Sequence, residues 1–403
     1  MALGGAFWRF WCATVLANVG DGIRLAAFPL LAVGLTDDPI GVGVVAAAAT
    51  LPWLVTGLLA GSLADRRSAR LLLVAADASR SLILLGLIGA LLADRADIPL
   101  VVAVAFGLGV AETVRDTAAQ TVVPRLVPAA LLERANGRMV AGEVAGNEFL
   151  GPLVGATLFA TGAVLPFAVN SAVAAFGVLL VLTLPATLLS LRSAPTTGRG
   201  EKAVAAGVRA GLLWLVRHRT LRSLVAAGVL VALADSAWFA VLVLYADVRL
   251  DLGPVGFGVL LAVGALGGLV GASGAERVLG RRRHARVLSW SMAVATGSPA
   301  LLLAAPTRWA AVVVVVTTSA AFGLFNVASL SLRHRLVPQH VLGRVVAAWR
   351  TAVLGAGAVG ALVGGSVASA QGLNAPFVLS AALGVVAVLR WGTAVRRAPG
   401  ALT

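Results

Sequence analysis

Asp21 and Arg24 stand three residues apart inside the first long apolar stretch of this chain, so they share a helical face and can partly neutralise each other. A later stretch repeats the placement of the acid: Asp21 follows Arg9 by 12 positions and Asp235 follows Arg222 by 13, which puts the two aspartates at nearly equal depths. A carboxylate in a low-dielectric medium is costly to keep charged, so it pairs with a base or takes a proton. Such a group can couple protonation, or the binding of a cation, to a change of shape. The fourth apolar stretch carries Glu112, Arg115 and Asp116, with Glu112 and Arg115 on one face and Asp116 one turn from Glu112; Glu143 and Glu148 lie in the fifth. Asp21, Arg24, Glu112, Arg115, Glu148 and Asp235 are therefore the candidates for handling protons or a charged substrate. The plainer reading of each is a structural ion pair. Asp77 and Arg80, three apart in the third stretch, are expected to extend a charge latch from the preceding loop, the plainer reading being a helix-surface pair. Arg350, in the eleventh stretch, is expected to be buried with no acid near it in sequence, and Asp65 and Asp77 are the acids it is expected to meet.

These charges need a bilayer around them to matter. The 403 residues are 59% hydrophobic and 12% charged, with a mean hydropathy of +0.96, outside the range of soluble domains. A spanning helix takes roughly 20 apolar residues. Twelve such runs are legible, at about 7–34, 40–62, 71–92, 99–122, 134–162, 164–185, 221–246, 254–275, 285–304, 309–331, 342–368 and 374–392. The first run is too long, and too poor in early basic residues, for a cleavable leader.

A net charge of +15 invites a nucleic-acid reading, but the positions of the basic residues exclude it. Assigning alternate loops to opposite sides puts 25 of the 32 Lys and Arg on one side and three, Arg95, Arg249 and Arg308, on the other. That asymmetry predicts a multi-pass protein of the bacterial cytoplasmic membrane with both termini and the long central loop in the cytoplasm. Cys12 is the lone cysteine, and His218, His284, His334 and His340 all fall in loops or at helix edges, so neither a redox pair nor a buried metal site can be assembled. No cofactor and no enzymatic activity are expected. The loops are too short for a catalytic domain, so function must reside between the helices.

The chain is written twice. Arg125-Leu126-Val127-Pro128 recurs as Arg335-Leu336-Val337-Pro338, and Gly137-Arg138-Met139-Val140-Ala141 as Gly343-Arg344-Val345-Val346-Ala347. Two copies about half a chain apart, each before long apolar runs, are the mark of a transporter built from homologous halves. Residues 1–185 and 221–403 are read as two pseudo-symmetric six-helix bundles in an all-α fold. The linker 186–220 carries Val204, Val208, Leu212 and Leu215 on one face, which suits a helix lying in the membrane interface, or an ordinary basic linker.

Gly61-Ser62-Leu63-Ala64-Asp65-Arg66-Arg67-Ser68-Ala69-Arg70 resembles the cytoplasmic signature Gly-x-Leu-Ala-Asp-Arg-x-Gly-Arg of the major facilitator superfamily, with Ser68 where the family usually has Gly. Gly61 is expected to allow close helix approach, and Asp65, with Arg66 and Arg70, to latch one conformation. Its second-half counterpart, Gly271 to Arg277, keeps an acid before arginine in Glu276-Arg277. In the fifth run, Gly146, Gly151, Pro152 and Gly155 resemble the superfamily's antiporter signature Gly-Pro-x-x-Gly-Gly, the last Gly being Ala156 here. A proline removes one helical hydrogen bond, and a kink beside glycines can serve as a rocking surface. With Leu126-Val127-Pro128, Glu133 to Gly137 and Asn147-Glu148-Phe149, the chain is similar to the drug:proton antiporter branch that holds macrolide efflux pumps and the enterobactin exporter. The resemblance implies the major facilitator fold, a cavity lined by the first, fourth, seventh and tenth spans, and proton-coupled export of a hydrophobic or amphipathic small molecule by alternating access. Asn18, Trp238, Phe322, Phe325 and Asn326 are candidates to line that cavity, and protons and membrane lipids are the other expected partners of a monomer. A lipid or lysophospholipid flippase, or an importer, is the alternative on the same fold; a scaffold or sensor would have little reason to keep buried charges.

Overall fold

A computed structural model describes residues 3–185, 214 and 217–396. The helices are α1 Gly5–Leu35, α2 Pro39–Arg66, α3 Ala69–Leu92, α4 Ile98–Leu126, α5 Leu132–Glu143, α6 Gly151–Thr161, α7 Leu165–Leu182, α8 Arg219–Val248, α9 Pro254–Arg281, α10 His284–Gly297, α11 Leu301–Ala304, α12 Arg308–Leu336, α13 Gln339–Gln371 and α14 Ala375–Arg396. Among the described residues eleven helical stretches are long and apolar enough to cross a membrane. The twelfth expected span is present but interrupted, because Val144–Leu150 winds as a π-helix between α5 and α6. Pro152 supplies the reason: without an N–H it cannot serve the carbonyl four residues back, and a wider turn takes up the slack. The Gly151 N–H accordingly reaches the Gly146 carbonyl.

Local chemistry sets several helix starts. Ser68 Oγ accepts from the Leu71 N–H, Asp97 Oδ1 from Leu100 and Thr307 Oγ1 from Ala310, each satisfying a first-turn donor. The repeated Leu-Val-Pro triplet does the same work twice. Leu126 closes α4 and Leu336 closes α12; Val127 and Val337 follow as buried extended residues. Pro128 and Pro338 then stand immediately before the next helical turn.

The chain divides into two compact units: Met1–Leu35, Ala48–Val204 and Pro254–Ala262 make one, and Thr36–Ala47, Ala205–Gly253 and Val263–Thr403 the other. The expected division fell wholly within the central loop. It differs because the first turns of α2 and α9 pack with the opposite half. A Cβ on Gly43 would lie 2.7 Å from the Ala361 carbonyl of α13, and one on Gly258 would lie 3.1 Å from the Pro152 carbonyl. The linker segment with Val204, Val208, Leu212 and Leu215 lies outside the described residues.

In the first unit, α1 packs on the interrupted span through glycine. A Cβ on Gly22 would sit 2.5 Å from the Asn147 carbonyl and 2.8 Å from Gly151 Cα; one on Gly146 would meet Val19 N at 3.1 Å, and one on Gly155 would meet Ile23 Cα at 2.8 Å. The glycines of the antiporter-like motif thus form a seam of backbone against backbone, as small residues allow in membranes. Gly61 differs from expectation: no described residue lies within 4 Å of a Cβ built there, so among the described residues it brings no helix close. Gly22→Ala is expected to lower thermal stability in detergent by about 1–3 kcal/mol through overpacking, whereas Gly61→Ala should raise it by up to about 1 kcal/mol through helix propensity. Equal shifts in the two melting curves would contradict the seam.

Candidate functional site

Helices α1, α3 and α4 bring seven charges together inside the first unit. They form one alternating chain: Glu112, Arg24, Asp21, Arg80, Asp77, Arg115, Asp116. Arg24 bridges Glu112 and Asp21, its Nη2 lying 3.0 Å from Asp21 Oδ1. Asp21 Oδ1 also takes Arg80 Nη2. Asp77 Oδ1 is shared by Arg80 Nη1 at 3.6 Å and Arg115 Nε at 2.8 Å. Arg115 Nη1 then stands 3.9 Å from Asp116 Oδ1. Both ends of the chain belong to α4, one turn apart.

The backbone around these groups is shaped to admit them. Arg115 Nη2 donates to the Ala13 carbonyl of α1 at 3.0 Å, and Asn170 of α7 donates to the Gly20 carbonyl beside Asp21 at 2.8 Å. Gly177 lies over the other oxygen of Asp77, where a Cβ would stand 3.1 Å from Oδ2. Burial is nearly complete in the middle of the chain, where the Asp77, Arg80 and Arg115 side chains are 1% exposed. It opens at the ends: Glu112 is 15% exposed and Asp116 30%.

Four carboxylates face three guanidiniums, so with every group ionised the chain carries one surplus negative charge. At such burial an uncompensated charge is expensive. The surplus is most accessible at Glu112 and Asp116, like charges one turn apart and the most exposed members of the chain.

Asp21, Arg24, Glu112 and Arg115 therefore stand together as one cluster. Glu112 and Arg115, set on one face of α4 by their spacing, find their partners across the helix interface, in Arg24 and in Asp77. Asp77 and Arg80, expected to extend a loop latch, stand in the middle of this chain, where the burial of their helix face draws them. Arg70, also assigned to the latch, instead donates to the Leu182 carbonyl at the end of α7 at 2.8 Å, next to Arg9, which reaches Thr183 O at 3.0 Å. Arg66 is exposed. The Asp65 side chain lies outside the described residues. Arg350, expected to be buried, is exposed on α13.

Asp235 of α8 has a different chemistry from Asp21 despite its matching depth. No basic group lies within 4 Å of it among the described residues, and its Oδ1 accepts the Trp238 indole N–H at 3.3 Å. Glu148 is exposed on the π-helical turn. Trp238 and Phe325, expected to line a cavity, are each 2% exposed and belong to packed interior. The Trp238 ring packs against Phe377 at 6.2 Å and Phe325 against the half-buried Phe322 at 6.4 Å. Asn18 is buried and Asn326 exposed.

Two features were not foreseen. Asn170 could have been sought as a polar residue inside an apolar span. Arg333 is 5% exposed, has no carboxylate within 4 Å among the described residues, and lies over the Trp349 ring at 4.1 Å with its Nε on the Ser329 carbonyl. Its position at the charged end of α12 gave no sign of that burial.

This arrangement of helices and buried charge can be set beside known proteins. The family model of the Major Facilitator Superfamily matches residues 10–353. The chain belongs to that superfamily. It is a multi-pass membrane transporter and not an enzyme. A relative from Mycolicibacterium fortuitum, the multidrug efflux pump Tap, is 28% identical over 398 residues, spanning 93% of each chain. Among solved structures, the nucleoside transporter NupG superposes with a TM-score of 0.79 at 13% identity, covering 97% of this chain and 100% of that one. A bacterial homologue of the human lysosomal transporter Spinster does so with 0.77 at 14% identity, covering 98% and 97%. At those identities the structural likeness speaks for the superfamily fold alone.

Proposed function

We propose that this transporter exports a hydrophobic or amphipathic small molecule by proton-coupled antiport with alternating access. The observation that carries the proposal is the surplus negative charge of the seven-membered chain, placed at its two partly exposed ends. A proton on the Glu112–Asp116 pair, or a cationic group of the substrate beside it, would offset that charge. Either way the site holds one positive charge in turn, which is what exchange of proton for substrate requires. The name carried by the Tap relative supports efflux of diverse compounds over import or lipid flipping. The arginine-rich side is read as cytoplasmic, so protons would enter from outside as the compound leaves. The π-turn and Gly seam on α1 give the cluster's helix a place to flex during the cycle.

Vesicles of inverted orientation carrying the protein provide the test. Uptake of ethidium, a fluorescent amphipathic cation, should rise with an acid interior and fall to the empty-vesicle level when a protonophore collapses the gradient. Uptake that ignores the gradient would remove proton coupling from the reading.

A further inference from the structure

The second unit holds a basic pocket that plays no part in the charge chain. It lies between the first two turns of α8 and the last two of α14, encloses about 170 Å³, and is lined by Arg219, Arg222, Ser223, Ala226, Arg390 and Thr393. None of the three arginines has a carboxylate within 4 Å among the described residues. The two hydroxyls are already committed as donors to the helix backbone, Ser223 Oγ to Arg219 O and Thr393 Oγ1 to Arg390 O. The guanidiniums are left as its hydrogen-bond donors, and their planar forks match phosphate oxygens. Arg219 also opens a 30-residue helix whose preceding residue, His218, supplies no side-chain cap, so the positive end of that helix adds to the local potential.

The surface leading away from the pocket is apolar. Val386 and Leu389, one turn back from Arg390 and Thr393 on α14, are 44% and 63% exposed, and Val385 beside them 59%. A phosphate among three arginines with a hydrocarbon-friendly stripe running from it towards the membrane interior has the chemistry of a lipid, not of a free anion. We infer that Arg219, Arg222 and Arg390 form a binding site for the phosphate of an anionic phospholipid, whose acyl chains lie along Val385, Val386 and Leu389. The site needs neither the transported compound nor the direction of transport.

Native mass spectrometry of the full chain in detergent, titrated with phosphatidylglycerol, phosphatidylcholine or inorganic phosphate, tests it. Phosphatidylglycerol adducts should form at the lowest concentrations. In the triple variant R219Q/R222Q/R390Q their affinity should fall on the order of a hundredfold, near fivefold for each arginine, which Arg390→Gln alone should display. The control R281Q/R282Q/R283Q removes the same charge from exposed positions outside the pocket and should change affinity less than about threefold. Equal losses in the two triple variants would reduce the site to diffuse attraction and overturn it. Displacement of phosphatidylglycerol by inorganic phosphate at comparable concentrations would also overturn it, by reassigning the pocket to a free anion.

Discussion

Replacing Arg80 by alanine is expected to be the most damaging single change to the first unit. Its guanidinium is 1% exposed and stands between Asp21 and Asp77, so its removal leaves two buried carboxylates sharing only Arg24 and Arg115. Breaking a buried pair from one side costs about 3–5 kcal/mol, because the remaining charge is uncompensated. That is a large share of the stability of any domain. The expected readout is a collapse of the melting temperature in detergent, or failure to accumulate in the membrane. A purely steric account would predict little loss for Arg80→Met, which fills most of the same space, and no relief from a second substitution. The electrostatic account predicts relief: Arg80→Gln combined with Asp77→Asn restores the charge balance and should recover more than half of the loss. If the double variant is as unstable as the two single losses added together, the groups are not coupled as the geometry implies.

Most of the architecture was legible in the sequence because lipid leaves so few options. Every backbone group within the bilayer must bond within its own helix, so apolar length alone fixes where the helices are. Even the doubled Leu-Val-Pro triplet marked the same helix end in both halves. What escaped was local winding: Pro152 announced a kink but not the π-turn ahead of it, since the choice among ways to absorb a missing hydrogen bond depends on how α1 packs there. Side-chain partners escaped for a related reason. Spacing along one helix paired Asp21 with Arg24 correctly, yet it placed Glu112 and Arg115 only on one face, when α1 and α3 offered each a partner across the helix interface. Periodicity reports a face, not what stands opposite. For Asp77 and Arg80 the nearby loop motif suggested a latch, whereas burial of their face on α3 assigns them to the interior chain. Asp21 and Asp235 show the limit of internal symmetry most plainly: equal depth in equivalent helices, but two arginines around one and an indole beside the other.

That difference leads to the second large effect. Asp116 is the most exposed member of the charge chain and makes its weakest contact, 3.9 Å to Arg115. Asp116→Asn removes the surplus charge outright and so imitates a chain that permanently holds its proton. Stability should change by less than about 1 kcal/mol, since a partly exposed carboxylate is lost next to a like charge. Coupling, by contrast, should vanish. A one-unit pH gradient is worth about 1.4 kcal/mol per proton exchanged, close to tenfold in the accumulation ratio of the transported compound. Wild-type vesicles should therefore gain about that factor on imposing the gradient, and the Asp116→Asn protein should gain none while still binding and slowly equilibrating the compound. Glu112→Gln should lose both coupling and stability, because Arg24 then keeps only Asp21. Asp235→Asn keeps the oxygen that accepts the Trp238 indole and lies outside the chain, so its gradient response should stay intact. The reverse outcome, a gradient response lost with Asp235 and kept without Asp116, would move proton handling to α8 and leave the seven charges as a structural brace.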